Sequence, residues 1–212
     1  MEVYDMAMEW KALQLGPIGT NCYLIKDTAT GKGAVIDPGD EPQRVLDAVR
    51  DSGMELAAVF LTHAHYDHTG AVPALKEAYP GLPIYLHDAD FALGTGNPSA
   101  IMPQAKGRTA SYGDGDVMKV GELELEVIHT PGHTPGGVTL KCGDVLFTGD
   151  TLFQESMGRT DFPGGSDQDI LASLKKLARL PGDYQVCPGH EAFSTLEHER
   201  QYNYYMKAAL RT

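Results

Sequence analysis

Four side chains able to bind a metal ion fall within six residues, in the run His63-Ala-His65-Tyr-Asp67-His68. Imidazole nitrogens and carboxylate oxygens are the donors that hold zinc, iron or manganese, so this H-x-H-x-D-H array predicts a metal centre. The duller reading is a polar loop whose histidines cap local backbone groups. Three imidazoles so close together exceed what a loop needs, and each demands its own partner. Three further residues complete the set. His133 sits in His129-Thr-Pro-Gly-His-Thr-Pro-Gly-Gly137, Asp150 in Phe147-Thr-Gly-Asp-Thr151, and His190 in Cys187-Pro-Gly-His-Glu191.

The elements that must position these side chains are short. Runs rich in Val, Ile, Leu and Tyr predict strands at Cys22 to Lys26, Gly33 to Asp37, Leu56 to Leu61, Pro83 to Leu86, Val117 to Ile128, Val138 to Cys142, Val145 to Thr148 and Gln185 to Pro188. The array and each later motif thus follow a strand and begin a loop, where sites are built on rigid supports. In the array itself, His63 and His65 leave an extended chain on the same side, and Asp67 and His68 fall in the turn before a helix. Helices are predicted from Asp40, as N-cap before Pro42, to Gly53; from Thr69 to Tyr79; from Ser166, burying Ile170, Leu174 and Leu177; and from Ser194, with Glu197 completing a capping box. Strands in hairpin-like groups interrupted by helices predict an α/β sandwich of mixed sheets. No linker or repeat interrupts the chain, so one domain over residues 1–212 is expected.

With these motifs in order, the sequence resembles the metallo-β-lactamase superfamily of hydrolases, and within it the glyoxalase II-like branch. The resemblance runs from Pro17-Ile-Gly-Thr-Asn-Cys-Tyr-Leu24 and Val35-Ile-Asp-Pro-Gly39 through the array, T-P-G-H, T-G-D and P-G-H. It implies a four-layer αβ/βα sandwich with a dinuclear site at one edge of two mixed sheets. It also implies that His63, His65 and His133 hold one metal ion, that Asp67, His68 and His190 hold the second, and that Asp150 bridges them. Two divalent ions, zinc first with iron or manganese also compatible, would activate a water between them. Asp67 would be catalytic as well, holding or relaying the proton.

The implied activity is hydrolysis of a thioester such as S-lactoylglutathione or a related acyl thiol. One departure is that 22 residues follow His190 in the 212 given, fewer than the helical glutathione-binding domain of classical members requires. The loop Gly158-Arg-Thr-Asp-Phe162 also resembles the persulfide dioxygenase branch, which uses one iron, so that oxidoreductase is the alternative. A lactonase is third. A non-catalytic binding module would require loss of ligands, and none is lost.

Around the centre, Asp37 is expected either to hydrogen-bond a ligand histidine or merely to organise a turn with Pro38 and Gly39. Arg159 is expected to brace the loop through Asp161 or to bind an anionic substrate. His87 and His129 read as structural, His198 as exposed, Cys187 as a buried strand residue, and Tyr202, Tyr204 and Tyr205 as a packing face.

Composition excludes other classes. Acidic residues outnumber basic ones 29 to 17, for a net charge of -12, which disfavours nucleic acid and anionic membranes as partners. No apolar run approaches a membrane span of about 20 residues. The acidic start Met1-Glu-Val-Tyr-Asp5 lacks the basic and apolar regions of a secretory signal, so a cytoplasmic protein with a small-molecule substrate is expected. The three cysteines, Cys22, Cys142 and Cys187, form no C-x-x-C pair and are expected to remain reduced. No self-complementary surface can be recognised, so the oligomeric state carries no expectation.

Overall fold

The structure is a computed structural model and describes residues 8–211; the amino-terminal run read for a signal lies outside them. Two sheets face each other. The first contains β1 (Met8–Leu15), β2 (Thr20–Asp27), β3 (Lys32–Ile36), β4 (Glu55–Phe60) and β5 (Ile84–Tyr85), in that order. Strands β1 to β3 are antiparallel, and β3, β4 and β5 are parallel. The second takes β6 (Val117–Val120), β7 (Leu123–His129), β8 (Val138–Cys142) and β9 (Val145–Gly149) as an antiparallel run. A small ribbon of β10 (Leu152–Phe153) and β11 (Ser156–Met157) follows. Then β12 (Gln185–Pro188) adds parallel to β9, and β13 (Ser194–Thr195) closes the edge.

Strands β2, β3, β8 and β9 read as near-continuous apolar runs because both of their faces are buried, whereas β1, β6 and β7 keep exposed positions. Alternate residues of β3 go to different cores: Ala34 and Ile36 face the second sheet, while Val35 joins an outer core. The same split sends Tyr23, Ile25 and Phe60 inward to meet Leu125, Leu140 and Phe147, and sends Leu24 and Val59 outward. The outer core of the first sheet is covered by α1 (Pro42–Asp51) and α3 (Val72–Ala78), through Val45, Val49, Val72 and Leu75. That of the second sheet is covered by α5 (Asp167–Ala178), α6 (Leu196–Tyr202) and α7 (Tyr204–Ala209), through Leu174, Leu177, Leu196 and Met206. The result is the expected α/β sandwich of four layers.

Several elements differ from the sequence expectation. Strand β1 and helix α4 (Asp88–Gly96) had no counterpart in it. The run from Val117 to Ile128 is a hairpin, turned at Gly121 with φ 63°. Asp40 does not cap α1; its carboxylate takes the Glu41 N–H, and Glu41 precedes Pro42 with φ 48°. The helix expected from Thr69 to Tyr79 is two, α2 (Tyr66–Thr69) and α3, because the N–H groups of Gly70 and Ala71 turn to the carbonyls of Gly39 and Pro38. The capping box at Ser194 is displaced by one residue. Thr195 accepts the His198 N–H, while Ser194 is in a strand and donates to buried Glu199. Asn203 then interrupts the final helix, accepting the N–H groups of Tyr205 and Met206. Ser166 does cap α5, accepting from Asp169.

Strands β3, β4, β7, β9 and β12 all deliver their carboxyl ends to one edge of the sandwich, since β7 lies antiparallel to β8 and β8 to β9. Hydrogen bonds across the two sheets fix that edge. Asn21 donates to the carbonyls of Pro188 and Glu191, Tyr23 Oη to Pro188, and the Val138 N–H to Thr62. No described helix is long and apolar enough to cross a membrane.

Candidate metal centre

All seven residues read from the sequence meet at this edge. The chain leaves β4 through buried Leu61, bends at Thr62 and His63 where the sequence reading expected an extended run, is extended again at His65, and turns into α2 at Tyr66. His63, His65 and His133 each offer one nitrogen within 4.8 Å of the others, and all three are buried. Nδ1 of His65 lies 2.9 Å from Nε2 of His133. Asp67, His68 and His190 form a second set on the same criterion. Asp150, at the end of β9, lies between the two. One oxygen is 3.4 Å from His68 Nε2, and the other is 3.4 Å from His133 Nε2 and 3.6 Å from His190 Nε2.

The atoms left without partners show that these residues fit a metal ion. Nε2 of His63, Nε2 of His65 and Oδ1 of Asp150 are buried and make no hydrogen bond. An orphan of this kind costs about 1–3 kcal/mol, which a fold tolerates where a ligand compensates. Charge states agree. Burial and the neighbouring imidazoles push His63 well below its ordinary value and His65 down to about 4, so both present neutral nitrogen, the form a metal takes. Burial opposes ionisation of Asp67 and Asp150, yet hydrogen bonds from His190 and His68 to Asp67, and the charge of His68 beside Asp150, hold both below the usual carboxylate range. Asp150 and Asp37 outweigh burial at His68, and Asp67 and Asp150 do so at His190, raising both. Buried carboxylates thus draw positive charge to this point.

A surrounding layer orients the donors. Asp37 is buried, with φ 51°, and its Oδ2 lies 3.0 Å from His68 Nδ1 and takes the Thr62 hydroxyl at 2.6 Å. Its Oδ1 accepts the Thr62 N–H at 2.7 Å. Asp37, His63 and His68 also lie close enough to share an ion, but with both oxygens engaged Asp37 acts on the histidine rather than beside it. His133 Nδ1 donates to the Arg159 carbonyl at 2.7 Å, and Thr20 Oγ1 donates to Asp67 Oδ2 at 3.1 Å. Arg159 itself is forked on Asp161 at 2.6 and 2.7 Å and stacks 4.1 Å from the Phe162 ring centroid, the bracing arrangement.

Close backbone approach is required as well. A Cβ on Gly189 would lie 2.2 Å from Asp150 Oδ1 and 2.7 Å from His68 Cε1. That contact explains the glycine of the P-G-H motif.

One residue escaped the sequence reading. Asp90, fully buried in the first turn of α4, accepts the Ala64 N–H at 2.9 Å and the Gly136 N–H at 2.6 Å. It ties the H-x-H-x-D-H segment to the loop that carries His133. The only available signal was the acidic start His87-Asp-Ala-Asp90, which marks a helix N-terminus.

The remaining residues lie apart from the candidate ligands. His87 caps α4 and stacks on His129 with centroids 4.4 Å apart, and His129 donates to the Pro135 carbonyl. His198 is half-buried and pairs with Glu155 at 3.0 Å, not exposed as expected. Tyr202, Tyr204 and Tyr205 are exposed, so they form no packing face, and they do not line the site cavity. Cys22, Cys142 and Cys187 are buried and free.

The candidate ligands open into a cavity of about 460 Å³, walled by His65, Asp67, His133, Asp150 and His190 on one side and by Ile18, Tyr66, Ile101, Phe153, Met157 and Phe162 on the other. This arrangement has known counterparts. The hydroxyacylglutathione hydrolase GloC of Haemophilus influenzae is 33% identical over 203 residues, covering 89% of this chain and 93% of its own. Among solved structures, the BLEG-1 B3 metallo-beta-lactamase superposes with a TM-score of 0.83 at 31% identity, covering 93% of this chain and 99% of its own. TTHA1623, solved in a di-iron-bound form, gives 0.79 at 36% identity, with 92% and 99% covered. ETHE1 from Myxococcus xanthus gives 0.79 at 31% identity, with 92% and 83% covered. The family profile described as metallo-beta-lactamase superfamily matches residues 15–190, and the chain belongs to that superfamily.

Proposed function

We propose that this chain is a dinuclear metal-dependent hydrolase that cleaves a thioester, of S-lactoylglutathione or of a related acyl thiol. His63, His65 and His133 would hold one ion and Asp67, His68 and His190 the other, with Asp150 between the two sets. The observation that carries this reading is the position of Asp150, whose Oδ1 faces His68 and is buried without a hydrogen bond while its Oδ2 faces both His133 of the first set and His190 of the second. Likeness to the hydroxyacylglutathione hydrolase supports the thioester, and the all-nitrogen-and-oxygen donor set suits zinc, with iron or manganese also accommodated.

Two dications in such a site supply a hydroxide nucleophile near neutral pH and polarise the scissile carbonyl. The protein's own groups do the rest. Asp67 lies on the cavity wall and on the second set at once, placed to hold the proton given up by the attacking water. Asp37 and the Arg159 carbonyl fix the rings of His68 and His133 through their Nδ1 atoms. Attack of hydroxide on the carbonyl carbon breaks the C–S bond and releases a carboxylate and a thiol. The net charge of -12 and the cavity size favour a small molecule over nucleic acid or membrane, and the reading includes a cytoplasmic location.

A second reading, an iron persulfide dioxygenase, is favoured by the Gly158 to Phe162 loop and by the likeness to ETHE1. Metal analysis of protein purified without added metal, with a panel of thioesters and a persulfide under oxygen monitoring, separates them. Two ions with thioester turnover supports the first; one iron with oxygen consumption replaces it.

A further inference from the structure

Apart from its candidate ligands, the cavity wall is mostly apolar, with Ser156, Arg159 and Glu191 as its other polar residues. Among the described residues lining it, Arg159 is the only lysine or arginine, and its charge is paired with Asp161 through Nε and Nη2. Glu191, on the same wall, adds negative charge. A substrate carrying carboxylates therefore meets no free cation beyond the metal residues to replace its hydration.

The mouth bears exposed apolar side chains that no packing explains. Ile18 is 52%, Tyr66 49% and Ile101 43% exposed, and all three line the cavity. Clustered exposure of this kind marks a binding surface. Ile101 is held with φ 58°, a conformation costly for a β-branched residue, and its carbonyl accepts the Tyr66 N–H at 3.0 Å. Strain kept at a site mouth, tied by the backbone to the metal-binding array, is the pattern of a positioned contact.

A second cavity of about 260 Å³ continues the first. It shares Ile18, Tyr66 and Asp67 with it and extends over Leu15, Pro17 and Pro103, with no lysine or arginine among its lining residues. The groove thus starts at a candidate metal ligand and runs outward over mostly apolar surface, with Thr20, Asp40 and Gln104 beside it.

We infer that the site takes thioesters of an apolar acyl chain, laid over Tyr66 between Ile18 and Ile101, and disfavours acyl glutathione. This rests on the thioester reading above. In the test, acetyl, butyryl and hexanoyl thioesters of N-acetylcysteamine, a small uncharged thiol, are compared with S-lactoylglutathione and hexanoyl glutathione, using the metal-loaded enzyme. A second arm places the same chains on the thiol side of an acetyl ester.

A fully buried methylene is worth about fourfold and a half-exposed one about twofold, so hexanoyl should exceed acetyl by at least about tenfold in kcat/KM. The hexanoyl ester of the uncharged thiol should also exceed both glutathione esters. Ile18→Ser and Ile101→Asn should flatten the chain-length dependence, and Ile101→Asn should do so without lowering Tm, because asparagine tolerates the left-handed conformation. A merely structural Ile101 would lower Tm and leave the dependence intact. A flat acyl series, a preference for the glutathione esters, or a length effect only on the thiol side overturns the inference and leaves the thioester reading standing. No turnover of any thioester overturns both.

Discussion

Oδ2 of Asp37 lies 3.0 Å from Nδ1 of His68, across 31 residues of sequence, and the same carboxylate takes both the N–H and the hydroxyl of Thr62. One buried side chain thus sets a candidate ligand and the start of the loop that carries four of the seven. Asp37→Ala leaves Thr62 and His68 without their acceptor. We expect affinity for the second ion to fall about 10- to 100-fold. A stability loss of about 3 kcal/mol should accompany it. Metal titration and urea unfolding read the two effects separately, and an unchanged affinity would deny the link.

Asp150 and His65 test the ligand sets themselves. Asp150→Ala removes the group between the sets, and kcat/KM is expected to drop about a thousandfold or more, several kcal/mol of lost charge stabilisation. His65→Ala should lower metal content and activity together. Full activity in both variants with normal metal content would sink the assignment.

Gly189→Ala places a methyl group 2.2 Å from Asp150 Oδ1. Because backbone on one side and buried donors on the other cannot yield, we expect displacement of Asp150 and His68, loss of second-ion binding, and about 1–3 kcal/mol of destabilisation. Circular dichroism should remain that of a folded protein while metal analysis changes.

Asp90→Ala strips two buried N–H groups, those of Ala64 and Gly136, of their acceptor. A loss of about 2–4 kcal/mol is expected, which lowers Tm by about 5–15 °C in a protein of this size. Metal affinity should weaken as well, since the variant frees the array from the His133 loop. A fall in Tm with metal binding unaltered would confine Asp90 to stability.

For Arg159, the fork onto Asp161 holds that carboxyl down at about 2. A depressed folded value means that the carboxylate's contribution is fully present above its ordinary value near 3.8 and is lost only as pH falls through about 2. The brace should therefore be insensitive to pH across the working range. Both partners are more than half exposed, so Arg159→Lys should change stability little and show instead in weaker retention of the first ion, through the His133 contact to the Arg159 carbonyl. An altered KM with normal metal content would reassign Arg159 to the substrate.

The centre was legible in the sequence because its donors are chemically unusual residue types bunched in short motifs, and because each motif follows the end of a strand. Asp37 and Arg159 could be named, but choosing between their alternatives needed coordinates, since Thr62, His68 and Asp161 had to be seen as partners. Asp90 could not be read at all: an aspartate at a helix start looks like an ordinary dipole partner until Ala64 and Gly136 are found against it. Helix limits failed where backbone partners were nonlocal. The Pro38 and Gly39 carbonyls divide one expected helix into two, and no local propensity encodes that.

The two sheets divide the candidate ligands between them: His63, His65, Asp67 and His68 follow a strand of the first, while His133, Asp150 and His190 follow strands of the second. Each ion would therefore be gripped from both halves of the molecule, and neither half carries a full set. During synthesis the first set is incomplete until His133 has emerged and the second until His190 has, so metal capture comes late and cannot guide the folding of the first sheet. A ribosome-bound chain halted before β7 would hold the array of histidines yet retain ions poorly, which makes loading a record of completed sheet docking.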